Sequence, residues 1–309
     1  MCILFSAAFK KQTNPLNLTR KKIAGVTVLF YPDQMLADRI FTYLNQLDVL
    51  YIVDNSEVSS QDMLGLLTNH PKIKYIHNQE NLGIAKALNI AANFALLDEY
   101  DFLLTMDQDS SFEKDQFEVF VEYLNRLDVT KVGILSPRHL HPNAKQHKPE
   151  VEIHRAKIVM TSGNLVNLLI FRKVGNFLTP LFIDHVDHEY CLRLRMNGYQ
   201  VLVMENILLN HSLGNLLKVK LFNLTLFQFV SHQPIRTYYM IRNGLYVALR
   251  YKKEFPDFYR QSIVLAMKEI IKVPFEKDKL IRIRLIILAI KHYTTSSLGK
   301  LTFMKNLTN

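Results

Sequence analysis

Short apolar blocks alternating with amphipathic ones set the pattern of the first half of the chain. Ile23 to Tyr31 is almost continuously apolar and partly β-branched, the composition of a strand covered on both faces. Pro32-Asp33 ends it, and Leu36, Ile40, Leu44 and Leu47 then recur at helical spacing. Val49 to Val53 predicts a second strand closing on Asp54-Asn55-Ser56, Ile73 to Ile76 a third and Phe102 to Met106 a fourth. Ile84, Leu88, Ala91 and Ala95 mark a helix between the third and fourth. Phe117, Phe120, Val121 and Leu124 mark another before a strand at Val132 to Leu135. Strands and helices joined by short connections predict an α/β fold, a mostly parallel sheet with helices on both faces.

The second half reads differently. His141 to Glu150, rich in Pro, Lys and His, is expected to be a mobile loop. Thr161-Ser162-Gly163-Asn164 lies between apolar runs, Asp184 to Arg195 reads as a helix start dense in acidic and histidine side chains, and Val201 to Met204 as a late strand. After His211 long amphipathic segments follow, clearest at Ile263 to Ile271 and Leu280 to Ile290, and predict helices appended to the sheet. The expected division is a lead-in over 1–22, a sheet domain over 23–215 and a helical, basic region over 216–309.

Composition narrows the class. The 309 residues are 49% hydrophobic and 21% charged, which suits a globular protein of one large domain or two modest ones. Two distant cysteines, Cys2 and Cys191, argue against a disulfide framework or structural zinc and fit a reducing cytosol. On that reading three Asn-x-Thr acceptor patterns, at Asn17, Asn223 and Asn306, are chance matches. Met1 to Ala8 is apolar but short and has no basic residues before it, so no secretory signal is expected. No run reaches the roughly 18 apolar residues of a membrane span. Net charge is +10, and from Tyr251 onward 12 Lys and Arg face 5 Asp and Glu, so the tail alone carries +7. Such a tail suits anionic lipid, phosphorylated substrates or nucleic acid.

The chemistry centres on Asp107-Gln108-Asp109, two carboxylates one residue apart at the end of an apolar strand. Ligands bind beyond the carboxyl ends of parallel strands, and a hard divalent cation is held by one or two carboxylates plus substrate phosphates. The same residues could instead form a turn capped by Ser110 and Ser111. Asp54-Asn55 ends the second strand, either as a turn or as a contact to a pyrimidine base. Asn81-x-Gly83 leads through Ala85, Lys86 and Ala87 to Asn89, where small residues would allow close backbone approach to a ligand or simply tight packing. His185 and His188 lack the zinc-protease spacing and read as surface or capping histidines.

In this order and spacing, Asp54-Asn55, the Asn81 to Asn89 series and Met106-Asp107-Gln108-Asp109-Ser110 resemble the family 2 glycosyltransferases of the GT-A fold, and most of all the bacterial rhamnosyltransferases among them. The resemblance runs from about Ile23 to Arg250 and includes Thr161-Ser162-Gly163 and the acidic segment Phe182 to Arg193. It implies an inverting, metal-dependent transferase using dTDP-L-rhamnose or a related nucleotide sugar such as UDP-galactofuranose. Asp107, Asp109 and His211 would hold Mg²⁺ or Mn²⁺. Asp54, Asn55, Asn81, Gly83, Lys86, Asp107, Gln108 and Arg242 would bind the donor, although Arg242 could equally pack between helices. Asp187 falls on the family's catalytic base, with Glu189 and Arg193 supporting the acceptor site. Val186 replaces the family's common first acid, which leaves Asp184 as the alternative base.

The implied acceptor is a polyprenyl-diphosphate-linked glycan of the cell envelope, met by a peripheral protein on the cytoplasmic face of an anionic membrane. Three other classes compete less well. A nucleotidyltransferase would place a Gly- and Arg-rich phosphate loop after the first strand, where this chain has Phe30-Tyr31-Pro32-Asp33. A non-catalytic binding or scaffold module would have no need of Asp107, Asp109 and Asp187 together. No nucleic-acid motif accompanies the positive charge, so no nucleic-acid partner is expected.

Overall fold

The computed structural model of the chain describes residues 20–140, 152–211, 215–221 and 224–302. The expected mobile loop at His141–Glu150 and nearly all of the lead-in lie outside these residues. The order opens with β1 (Ile23–Leu29), α1 (Leu36–Leu44), β2 (Val49–Asp54), β3 (Ile73–His77), α2 (Ile84–Leu97) and β4 (Phe102–Asp107). It continues with β5 (Ser111–Phe112), α3 (Gln116–Arg126), β6 (Val132–Leu140), β7 (Ile153–Arg155), β8 (Asn164–Asn167) and α4 (Leu168–Val174). Next come α5 (Val186–Met196), β9 (Gln200–Asn210), β10 (Asn215–Leu221) and β11 (Leu224–Ser231). Three helices close the chain: α6 (Pro234–Arg250), α7 (Pro256–Lys272) and α8 (Lys279–Thr294).

The main sheet runs β3-β2-β1-β4-β8-β6-β9-β5, with β7 on β9. β1 pairs in parallel with both β2 and β4, so the strand order reverses there and the carboxyl ends of β1 and β4 meet at a switch point. Val28 lies opposite Asp107 in that register. β8 runs antiparallel between β4 and β6, which makes the sheet mixed while β6 and β9 keep the direction of the first four strands.

β1 and β2 are buried along their whole length, as their unbroken apolar sequence requires. Their residues alternate between two cores. Ala24, Val26 and Val28 join α2, α4 and α5 on one side, and Ile23 and Leu29 join α1 and α3 on the other. A third apolar cluster joins Phe182 to Tyr238, Ile241, Leu285 and Ile286, and so ties α6 and α8 to the loop before α5.

Two expectations change. The first strand stops at Leu29, because Tyr31 takes a left-handed φ of 48° that no strand can contain. The segment after His211 begins with the β10–β11 hairpin before any helix. Its Leu, Val and Phe residues are as compatible with strand alternation as with an amphipathic helix, and pairing decided between them. Among the described residues no helix is long and apolar enough to cross a membrane.

Candidate active site

Three strand ends assemble the site. Asp107 closes β4 at the switch point. Because β8 is antiparallel to β4, with Thr105 opposite Asn164, the Thr161-Ser162-Gly163 turn arrives at the same rim. The Ser162 hydroxyl accepts the Asp107 backbone N–H at 3.1 Å. The Ser162 carbonyl accepts from Nε2 of His139 at 2.8 Å, which fixes the tautomer of that partly buried ring. Ser111 of β5 pairs with Asn210 at the end of β9, and this brings His211 beside Asp109 and Ser110.

Nδ1 of His211 stands 2.8 Å from the Ser110 hydroxyl and 3.4 Å from the Asp109 carboxylate. The donor atoms of Asp107, Asp109 and His211 all lie within 4.8 Å of one another. Burial pushes the Asp107 carboxyl up to about 6; Asp109 and Asp187 add like charge, while His211 pulls the other way. The hydrogen bond to Asp109 raises the His211 imidazole. Two carboxylates converging with one imidazole are a donor set that suits Mg²⁺ or Mn²⁺, since the hard oxygens dominate and the coordination shell stays open for phosphate oxygens.

These groups line a cavity of about 540 Å³. Its far side is the segment that precedes and begins α5. Phe182, Asp184 and His185 all have left-handed backbones, with φ of 66°, 61° and 61°. Three such non-glycine residues within four positions are strained, and strain of this kind gathers at functional sites. The turn directs Asp184, His185, Asp187 and His188 into the cavity.

The Asp187 carboxylate accepts the His188 N–H at 2.8 Å and the Thr161 hydroxyl at 3.4 Å. Asp184 is paired with Arg236 at 3.2 Å, and its buried Oδ2 has no partner among the described residues. Burial pushes Asp184 up to about 6, against the pull of Arg236. His185 lies on α6, where a Cβ at Gly244 would come within 2.9 Å of its Nε2. The remaining wall comes from the last helices: Arg236, Met240 and Gly244 of α6, and Ser262, Leu265, Ala266 and Glu269 of α7.

Of the other residues singled out from the sequence, Gln108 also lines the cavity, while Glu189 and Arg193 stand behind it. Glu189 is buried and forms a bidentate pair with Arg193, at 3.0 and 2.8 Å, and accepts from the Tyr251 hydroxyl at 2.8 Å. Arg193 also donates to the carbonyls of Val174, Gly175 and Asn176, so the two lock α5 from beneath. Gln108 pins the end of β1 through both the N–H and the carbonyl of Phe30. Lys86 is exposed on the first turn of α2.

Five residues expected to contact the donor are bonded or packed within the protein instead. Arg242 is only 1% exposed; it donates to the Tyr238 hydroxyl and the Gly299 carbonyl and lies over the rings of Tyr238 and Tyr239. It packs helices, and among the described residues the Arg that lines the cavity is Arg236, about one and two-thirds turns earlier on α6. Asp54 is fully buried; its oxygens accept from Ser56 N, Ser60 N and the Tyr75 hydroxyl and so shape the loop after β2. Burial raises its carboxyl, and those hydrogen bonds more than offset this and hold it low. Asn55 joins that loop to the Gly83 carbonyl and to Asn78. Gly83, with φ +81°, is close to Phe182 and not to open space: an added Cβ would meet the Phe182 carbonyl at 2.5 Å. Asn81 supports that turn by accepting from Gly83 N at 2.9 Å.

Sequence reasoning did not single out Arg236, His139 or the α7 wall. Arg236 and Arg242 sit in one basic-aromatic segment, and no local spacing says which of them faces the cavity.

A carboxylate pair at the switch point of a mixed α/β sheet, facing a second acidic segment across one cavity, defines a GT-A-type glycosyltransferase. The sequence profile of Glycosyl transferase family 2 matches residues 30–192, just over half of the chain, and the protein belongs to that family. It is similar to the dTDP-rhamnosyl transferase RfbF of Shigella flexneri, with 27% identity over 237 residues, 72% of this chain and 78% of the relative. Among solved structures, TarS 1-349 of S. aureus in complex with UDP-GlcNAc shares the fold at a TM-score of 0.52 and 12% identity, covering 89% of this chain and 81% of that one. GalNAc-T7 with UDP, GalNAc and Mn²⁺ does so at 0.50 and 13%, over 62% of this chain and 44% of that one.

Proposed function

We propose that the protein is an inverting rhamnosyltransferase that moves L-rhamnose from dTDP-L-rhamnose to a polyprenyl-diphosphate-linked glycan, at the cytoplasmic face of the membrane, in cell-envelope polysaccharide synthesis. The observation that carries this reading is the single cavity in which Asp107, Asp109 and His211 face Asp187. Similarity to a dTDP-rhamnosyl transferase supports the donor. Asp54 and Asn55 would act through the loop they order at the end of β2, beside the switch point where the donor's base would lie.

Asp107, Asp109 and His211 would hold the divalent ion, which supplies positive charge against the departing diphosphate. Arg236 lies within the field of both Asp107 and His211; its half-exposed guanidinium is held on one side by Asp184 and would offer its remaining N–H groups to a phosphate. Inversion needs one base on the face opposite the leaving group. Both rivals line the cavity, and burial raises the Asp184 carboxyl. Asp184 is, however, engaged with Arg236, whereas Asp187 lines the cavity with no ion pair among the described residues and its charge is felt by both Asp184 and Asp107. Asp187 is therefore assigned to take the proton of the acceptor hydroxyl.

The test is calorimetric titration of the purified protein with dTDP-rhamnose, UDP-galactofuranose and a purine diphosphate sugar, with and without Mn²⁺, followed by a transfer assay. Metal-dependent preference for dTDP-rhamnose, lost in Asp109→Ala, is expected. Equal affinity for the purine donor would sink the pyrimidine assignment, and full activity in excess chelator the metal one.

A further inference from the structure

α7 carries an apolar stripe on the side turned away from the cavity. Ser262, Ala266 and Glu269 point inward, while Val264, Met267 and Ile271 recur at i, i+3 and i+7 on the opposite side and are 49%, 55% and 64% exposed. α8 repeats the arrangement. Leu285, Ile286 and Ala289 are buried against α6, and Leu280, Ile283, Ile287 and Ile290 form an exposed stripe on the other side. An exposed apolar stripe along a helix, on the side away from its buried face, marks an interaction site.

Charge around the stripes identifies what covers them. Arg260 and Lys268 flank the stripe of α7, Arg284 and Lys291 that of α8, and Lys277 and Lys279 lie between; all six are exposed. Two of the four carboxylates between 256 and 294 are turned inward, Glu269 paired with Lys272 and Glu276 with Arg282. Each inward carboxylate takes a cation with it, so the outer surface keeps the segment's net charge of +4, six Lys and Arg against Asp257 and Asp278. An apolar stripe framed by Lys and Arg is the pattern of a helix lying in a lipid interface.

We propose that the outward faces of α7 and α8 dock the protein on an anionic phospholipid bilayer, with the apolar side chains in the headgroup boundary and the cations on the headgroups. A second copy of the chain would bring the same cations to the same stripes, and like charges would oppose it; a bilayer brings the opposite charge. Leu265 is half exposed and also lines the cavity, so the lipid-facing helix is itself a wall of the site. An acceptor on a lipid carrier would then reach Asp187 along α7. That last step rests on the function proposed above; the docking does not.

The experiment is flotation of the full chain with vesicles of equal parts phosphatidylcholine and phosphatidylglycerol, against phosphatidylcholine alone, at low and high salt. The protein is expected to float with the anionic vesicles, to bind neutral ones more weakly and to retain part of its binding when salt screens the charges. Ile271→Glu with Ile287→Glu should lower partitioning by about a hundredfold, and Ile271→Ala with Ile287→Ala by about tenfold. Both pairs change exposed positions, and unaltered thermal midpoints confirm that they fold. Wild-type flotation of the glutamate pair, or complete loss of binding in high salt, would overturn the role of the stripes. Absence of flotation together with a dimer that the glutamate pair dissociates would assign these faces to self-association instead. No nucleotide sugar enters the assay, so failure here leaves the transfer reading standing, and failure of transfer leaves docking standing.

Discussion

Replacing Asp187 by Asn tests the assignment of the base most directly. The carboxylate accepts one backbone N–H, from His188 at 2.8 Å, and a long contact from the Thr161 hydroxyl at 3.4 Å. An amide oxygen keeps the first, and the hydroxyl can reverse to accept from the new amide, so the cost to folding should be below about 1 kcal/mol. Loss of a general base typically lowers rates by ~10²–10⁴, or about 3–5 kcal/mol of barrier. The deficit in transfer should thus far exceed any deficit in stability. Asp184→Asn is the matched control. It breaks an ion pair with a half-exposed Arg236, worth about 0.2–1 kcal/mol, and strands no other partner among the described residues, where Oδ2 has none. The assay is single-turnover transfer to a lipid-linked acceptor, with the Kd of the donor measured alongside. Donor affinity should be nearly unchanged in both variants, with transfer slow only in Asp187→Asn. If Asp184→Asn is dead while Asp187→Asn turns over normally, the base is Asp184.

Three further outcomes follow from the geometry. Gly83→Ala places a Cβ 2.5 Å from the Phe182 carbonyl at a φ of +81°, and should cost roughly 2–4 kcal/mol in urea unfolding while displacing the strained turn before α5; wild-type stability would refute the close approach. Arg282→Met strands Glu276 from its buried partner at 3.1 Å, which should cost roughly 3–5 kcal/mol by the same measurement. Asp107 and Asp184 both hold their protons more tightly in the folded state, with carboxyls raised from 3.8 to about 6. Their stabilising contribution is therefore complete below about pH 4 and is lost as pH rises through about 6. Thermal midpoints of the metal-free protein across that window should show the loss, and Asp184→Asn should flatten it; an unchanged slope in the variant would remove Asp184 from the account.

The sequence alone determined what depends on neighbours in the chain. A strand covered on both faces must be continuously apolar, so β1, β2 and β4 could be read from composition, and the carboxylates that end β4 could be placed at a sheet rim. The family resemblance put Asp187, Glu189 and Arg193 on one acidic helix start for the same reason, since their spacing is local. What brings separate segments together was decided by the tertiary structure. The antiparallel insertion of β8 puts Ser162 on Asp107, and the pairing of Ser111 with Asn210 puts His211 on Asp109. The choice between Arg236 and Arg242 depends on which face of α6 meets α8, because burial, not sequence context, turned Arg242 into a packing residue. Gly83 and Asp54 likewise suggest ligand contact when read alone, and only the loops folded over them show that they hold protein to protein. The β10–β11 hairpin and the exposed stripes of α7 and α8 belong to the same category. Apolar spacing says that a face will be covered, and only the fold says which faces have already found their cover.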